Sequence, residues 1–345
     1  MTETIENNMT APSPPFDISQ LADYLEGVLP GHGAAELQQI PGGLSNPTYF
    51  LNFGNARYVL RKQPPGRLLP SAHAIDREFK VISALKDTEI AVPLAPHYCA
   101  DPEIIGTPFY IMERLEGRVF HDNGLPDATP SQRADIFDAM NATLAALHRV
   151  DIDKVGLRDY GKTGGYFTRQ ISRWSGQYEK GKTREIPEIP ELADWLQNNM
   201  PASDETTLVH GDYRLGNIIF HPTKPDIIGV LDWELSTLGH PLSDLGYNLM
   251  PWTMLQSEYH GLADRNLDAL GLPGHREYYE RYFERRGLEN AYAPFYTAFA
   301  FFRLAVIFEG IVSRSAQGNQ VSGDASNLAH YSRTFARHGL ELVGA

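Results

Sequence analysis

LVHGDYRLGNIIF at 208–220 and DIIGVLDWE at 226–234 are the two stretches whose reading decides the fold of this 345-residue chain. LVH reads as a short strand ending at His210, with Asp212 on the loop beyond it. Asn217 follows Asp212 by five residues and opens the apolar run NIIF. After the turn HPTKPD, a second apolar strand ends at Asp232. The pattern sets a carboxylate, an amide and a second carboxylate at neighbouring strand ends of one hairpin. Phosphoryl transfer calls for that set. One carboxylate takes the proton of an attacking hydroxyl, while the amide oxygen and the other carboxylate hold Mg²⁺ against the phosphates. An H-G-D tripeptide alone would mean little, because Asp and Asn in loops are ordinarily turn formers. The spacing to Asn217, the flanking strands and the terminal Asp232 carry the reading together.

Upstream, short apolar runs alternate with turns. TYFLNF and RYVLRKQ flank Gly54-Asn55, a hairpin connection, and ELQQI and TPFYIMER read as further strands. AHAIDREFKVISALK at 72–86 carries Ile75, Phe79, Ile82 and Leu85 at helical spacing. Glu78 sits on or beside that stripe, where an unpaired carboxylate is costly, so it needs a cation. The strand RYVLRKQ offers Arg61 or Lys62, and side-chain alternation lets only one of these neighbours face the nucleotide. PGGLSNPTYF at 41–50 is the candidate phosphate loop. Gly42 and Gly43 permit tight turns, and Ser45 and Asn46 could donate to phosphate oxygens. Glu113 to Leu115, just after TPFYIM, fall in the expected hinge, and their side chains carry no signal of their own. The basic cluster of Arg61, Lys62, Arg67 and His73 is either a solvated face or a receptor for an anionic group.

Beyond Gly117 the pattern becomes mainly helical. Thr129-Pro130-Ser131-Gln132 is a helix start with a capping residue, Pro at the first helical position and Gln three residues after the cap. The stripe Ile136, Met140, Leu144 and Leu147 follows, then helical stretches at 165–180, 188–199 and over most of 242–340, around a β interlude at 206–232. AYAPFYTAFAFFRLAVIFEGIVS at 291–313 approaches the length of a membrane span. Arg303 and Glu309 lie inside it, which favours a helix buried in a protein core. The expected organisation is a flexible tail at 1–15, a nucleotide-binding lobe at 16–112, a hinge at 113–117 and a catalytic and substrate lobe at 118–345.

Composition narrows the function. The chain has 42% hydrophobic and 21% charged residues, enough apolar side chains for a sizeable core. A formal charge of −13 argues against non-specific nucleic-acid binding, which needs Lys and Arg against phosphates. A single cysteine, Cys99, excludes an intramolecular disulfide and a Cys-rich zinc site, and suits a cytoplasmic setting. Nothing in the first residues reads as a secretory or transit signal. A metal-dependent hydrolase built on His210, Asp212, Asp232 and His240 is a rival reading.

The H-G-D-x-x-x-x-N pattern and the later D-W-E resemble the catalytic loop and metal-binding segment of the aminoglycoside phosphotransferase and choline kinase superfamily, distant relatives of the protein kinases. The likeness runs from about residue 16 to 340. It is strongest to the kinase-like domains fused to some acyl-CoA dehydrogenases, on YVLRKQPPGRLLPSAHAIDREFKVISAL, IIGTPFYIMERLEGRVF and GVLDWELSTLGHPLSDLGYN. The resemblance implies an α+β, protein-kinase-like two-lobed fold, with a small β-rich N-lobe and a larger mainly helical C-lobe. It implies ATP and Mg²⁺ as cofactors, Asp212 as catalytic base, and Asn217 and Asp232 as metal ligands. By the same resemblance His210 supports the loop, Asp244 in HPLSDLGYN anchors it, and Arg61 is favoured over Lys62 as the phosphate contact. The acceptor is expected to be a small-molecule hydroxyl, and the fusion partner suggests a hydroxyacyl compound, with Arg214, Trp233, Tyr247, Trp252 and Arg303 as candidate lining residues, core packing being the favoured role for the three aromatics. A nucleotide-binding pseudokinase acting as an interaction module is the alternative. The oligomeric state stays open.

Overall fold

The computed structural model describes residues 14–41, 46–66, 74–316 and 328–345. The first elements are α1 (Ile18–Glu26), β1 (Ala35–Gln39), β2 (Thr48–Phe53), β3 (Ala56–Lys62), α2 (Ile75–Leu85), β4 (His97–Cys99) and β5 (Phe109–Glu113). Three helices follow: α3 (Pro130–Leu147), α4 (Tyr166–Gly181) and α5 (Glu188–Asn198). Four short strands come next: β6 (Thr207–Val209), β7 (Ile218–Phe220), β8 (Ile227–Val230) and β9 (Thr237–Gly239). The chain then runs through α6 (Leu242–Leu249), α7 (Leu267–Leu270), α8 (His275–Arg286), α9 (Pro294–Ala316) and α10 (Ala329–Val343). These elements form two units, one from the described residues of Met1–Arg118 with Ile218–Leu235, the other from Val119–Asn217 with Ser236–Ala345.

The first unit is built on an antiparallel sheet in the order β1-β2-β3-β5-β4. Gly54, at φ 56°, makes the β2–β3 turn without the penalty a Cβ would carry there. One sheet face packs Leu51, Phe53, Leu60, Phe109 and Ile111 against Leu21 and Leu25 of α1. Helix α1 is capped by the Asp17 carboxylate, which accepts from Ser19 N at 2.8 Å. The β7–β8 hairpin is stitched to this same unit. Arg118 and Phe220 exchange backbone bonds of 2.8 and 2.9 Å, and Val230 N donates to Ala91 O at 2.8 Å. Sequence had placed the hairpin in a continuous 118–345 lobe; these main-chain bonds explain why it groups with the first unit.

The second unit is helical around α9, which packs against α4, α5, α6 and α10. This helix is long and apolar enough to cross a membrane, yet 83% of its apolar window is buried inside the unit. Two of its three charges are met there: Glu309 accepts from Thr183 N and Oγ1, and Arg303 donates to Gly211 O. Helix α3 begins with a full capping box between Thr129 and Gln132. Strand β6 pairs with β9, through Thr207↔Gly239 and Val209↔Thr237, and not with β7. That corrects the expectation of one hairpin carrying Asp212, Asn217 and Asp232. The three-residue β6 closes its edge on a strand reached only after Leu235, so no local pattern discloses the pairing.

Candidate active site

In the second unit the loop carrying Asp212 hangs from β6 and is clamped from α6. Gly211 turns at φ 85°, a conformation that glycine adopts at little cost. The buried Asp244 carboxylate accepts from His210 N at 2.6 Å and from Gly211 N at 2.9 Å. Its other neighbour is His148, whose Nε2 lies 3.3 Å away and whose Nδ1 meets Tyr282 Oη at 2.7 Å. Burial keeps the His148 imidazole below its ordinary value, so its neutral form is placed with Nε2–H toward Asp244. Burial alone would raise Asp244, but His148 and the Gly211 N–H hold it below the usual carboxylate range. The expected anchor is therefore a chain from Tyr282 through His148 to two loop amides.

Asp212 is held at both oxygens. Tyr247 Oη donates to Oδ1 at 2.6 Å, and Asn217 Nδ2 donates to Oδ2 at 2.7 Å. Arg214 Nε lies 3.4 Å from Oδ2. Asn217 Nδ2 also bonds Asp212 O at 2.9 Å, which leaves the amide oxygen without a hydrogen bond among the described residues. Asp212 and Asn217 are thus brought together. A cavity of about 230 Å³ opens beside them, with Arg214 and Tyr247 in its wall. His121, Tyr259, Met140 and Met254 also line it, and its lining contains no Asp or Glu among the described residues. Tyr259 and His260 take φ of 86° and 57° there, a strained arrangement for non-glycine residues. Of these, sequence had singled out only Arg214 and Tyr247, plus Met140 as a core residue. The rest reach the cavity through long-range packing that leaves no motif.

Trp233 and Trp252 take the core-packing role that was the favoured one for the aromatic candidates. Trp233 belongs to the first unit, fully buried, with Nε1 donating to Val230 O at 2.9 Å. Trp252 donates to Pro273 O and packs edge-on to Phe137, a core role. Arg303 supports the loop through Gly211 O.

The first unit gathers a second cluster. Arg61 Nε lies 2.8 Å from Glu78 Oε2, and its NH2 bonds Asp232 Oδ1 at 2.9 Å and approaches Glu234 at 3.6 Å. Glu78 is 1% exposed and also accepts from Tyr110 Oη and Asn46 Nδ2. Burial pushes the Glu78 carboxyl upward even against Arg61. Burial works against the Arg61 charge too, but Glu78 and the other acids around it raise that group further. Asp232 sits at φ 65°, backbone strain at the end of β8. Lys62 points to the opposite sheet face, buried, with Nζ on Ile105 O at 3.1 Å and over the Phe16 ring. The expectation of Lys62 as a phosphate contact is corrected, by the alternation that turns Arg61 toward Glu78. Asn46 is corrected likewise: its buried amide serves the Glu78 carboxylate. Glu113 N donates to Leu94 O at 2.7 Å, while the Leu115 N–H makes no hydrogen bond among the described residues. Gly43, Ser45, Arg67 and His73 lie outside the described residues.

One guanidinium among three carboxylates leaves this cluster with a negative excess, and no group of three or more His, Cys, Asp or Glu among the described residues is arranged to hold a metal ion. The hydrolase reading loses its histidines, since His210 Nδ1 accepts from Asp212 N and His240 stacks on Tyr296 with Nδ1 on Leu242 N.

Residues 36–285 match the family described as "Phosphotransferase enzyme family". The chain belongs to that family. Phosphotransferase chemistry is the class of reaction that comes with it. A crystal structure of a provisional aminoglycoside phosphotransferase from Ralstonia eutropha is 40% identical, with a TM-score of 0.86 over 95% of this chain and 98% of that one. A hygromycin-binding aminoglycoside phosphotransferase, APH(4)-Ia with ADP, shares only the fold, at 15% identity and a TM-score of 0.61, over 94% of this chain and 99% of that one. Acyl-CoA dehydrogenase family member 11 of Rattus norvegicus is 43% identical over 96% of this chain, which spans 44% of that relative's length. The kinase-like fold and the likeness expected from the sequence are both present.

Proposed function

We propose that this phosphotransferase moves the γ-phosphoryl group of Mg-ATP to the hydroxyl of a small molecule, with Asp212 as the base. The observation that carries the proposal is the Asp212 carboxylate, oriented by Asn217 and Tyr247 on a clamped loop beside a cavity able to take an acceptor. In the reaction the acceptor hydroxyl gives its proton to Asp212, its oxygen attacks the γ-phosphorus, and the bond to the β–γ bridging oxygen breaks to release ADP. Arg61, held by Glu78, is the proposed phosphate clamp, and the backbone of Glu113–Leu115 the proposed adenine contact. Gly43 and Ser45 remain the proposed phosphate-loop residues.

Each proposed donor suits Mg²⁺ by its own chemistry. Asn217 keeps a hard amide oxygen, and Asp232 keeps one carboxylate oxygen without a hydrogen bond among the described residues. These two are the proposed ligands. Bound there, the cation would neutralise charge on the phosphates. The proposed acceptor is a hydroxyacyl compound. The acyl-CoA dehydrogenase names of the relatives support it, as does a cavity lined by methionine and by no acidic side chain among the described residues. Robust turnover of an aminoglycoside or choline, with no turnover of any hydroxyacyl thioester, would sink that part. A cytoplasmic setting is proposed from the single Cys99.

The first test is thermal unfolding of the wild type and Asp232→Ala with and without millimolar Mg-ATP. A ligand at a hundred times its Kd stabilises the native state by about 2.7 kcal/mol, a readable shift. A Mg-dependent rise lost in the variant is the expected result, and no shift at saturating nucleotide would remove the basis of the proposal. A shift without turnover of any hydroxyl acceptor would favour a pseudokinase.

A further inference from the structure

The geometry points to Tyr247 as a positioning residue that makes Oδ1 of Asp212 the atom receiving the acceptor's proton. This rests on the reading of Asp212 as the base. An ionised carboxylate has about four lone-pair sites, two on each oxygen. On Oδ2 both are engaged, by Asn217 Nδ2 at 2.7 Å and Arg214 Nε at 3.4 Å. On Oδ1 the one donor among the described residues is the Tyr247 hydroxyl at 2.6 Å, which leaves a site open to an acceptor. Tyr247 and Arg214 both line the cavity, so an acceptor hydroxyl arriving through it meets Oδ1 beside the phenol.

What gives Tyr247 the authority to aim a loop residue is its rigid footing. All eight residues of α6 are buried. A Cβ on Gly246 would lie 2.4 Å from the Tyr296 backbone, so glycine lets α6 seat directly on α9. Arg303 of α9 then lies 5.2 Å from the Tyr247 ring centroid and donates to Gly211 O, tying the ring and the catalytic loop to one side chain. Burial and the neighbouring Asp212 charge push the Tyr247 phenol well above its ordinary value, so it stays protonated and donates. A carboxylate on a loop is in this way oriented from a packed helix, which is more exact than loop-to-loop support.

The test needs no knowledge of the natural acceptor. Hydrolysis of Mg-ATP, with water as acceptor, is compared in the wild type, Tyr247→Phe, Asp212→Ala and the double variant. Tyr247→Phe removes only the hydroxyl and keeps the ring against Arg303. It should lower kcat about ten- to a hundredfold, the range for losing a hydrogen bond to a charged group. KM for Mg-ATP and the Mg-ATP thermal shift should not change. On the Asp212→Ala background the same change should cost nothing more, because Tyr247 acts through that carboxylate. A kcat within twofold of wild type overturns the assignment. So does a further loss on the Asp212→Ala background, which would mark a general structural role. Wild-type hydrolysis that Asp212→Ala leaves undiminished overturns it as well, since no base would then be aimed. Absence of any Mg-ATP thermal shift in the wild type would take away the phosphotransferase reading itself, a separate failure.

Discussion

Asp212 and Asp232 have different proposed work, and their variants should separate it. Asp212→Ala should abolish turnover, a fall of about a hundredfold or more, while the Mg-ATP thermal shift persists. Asp232→Ala should weaken that shift itself. Turnover by Asp212→Ala at a near-native rate would refute the base. Arg61 and Lys62, adjacent in β3, give a sharper contrast. Arg61 meets Glu78 and Asp232, whereas Lys62 is buried against Ile105 O and Phe16. Lys62→Met should leave the Mg-ATP shift intact, and Arg61→Met should diminish it; equal losses would show that sheet alternation does not divide their roles. At this scale the spacing of Asp212, Asn217 and Asp232 was legible because it is local. The direction of each side chain was not, since it follows from where α2 and α6 pack.

The helices show how far element-level signals reach. Thr129 and Gln132 make the reciprocal cap that their order in the sequence announces, with Pro130 at the first helical position. Thr129→Ala should cost about 1 kcal/mol of stability, measured by denaturant midpoint, with little change in Mg-ATP affinity. A loss far above that would mean the cap also supports the loop that precedes α3. Helices α2 to α5 and the strands β1 to β3 lie where pattern placed them, because each has either a period or a turn. β4 escaped notice since three residues show no period. The β6–β9 pairing escaped for a different reason: its partners are separated by the whole catalytic loop and the β7–β8 hairpin.

Stability of the whole molecule should fall on the acid side. Burial holds His240 down to about 4, with Nδ1 accepting from Leu242 N and Nε2 facing Ser203 Oγ. The unfolded histidine titrates near 6.5. The folded value is the lower one, so this contribution is present above about pH 6.5 and is lost as pH falls toward 4. The full window is worth on the order of 3 kcal/mol. His148 and His275 are depressed in the same direction by burial. Thermal midpoints should therefore drop between pH 6.5 and 4, and His240→Gln should flatten part of that slope. A slope unaltered by the substitution would remove His240 from the account. The sequence by itself determined the residues on offer: two carboxylates and an amide at set spacings, proposed here as base and metal ligands, and the α+β order of elements around them. Those are short-range properties, written in turns, caps and periods. Only the tertiary structure decided that Arg61 and not Lys62 meets Glu78, that Asn46 serves that same carboxylate, and that Tyr247 bonds Asp212 beside a cavity lined by His121 and Tyr259. Each of those contacts joins residues far apart in the chain, so it exists only once the packing of the elements has closed the distance.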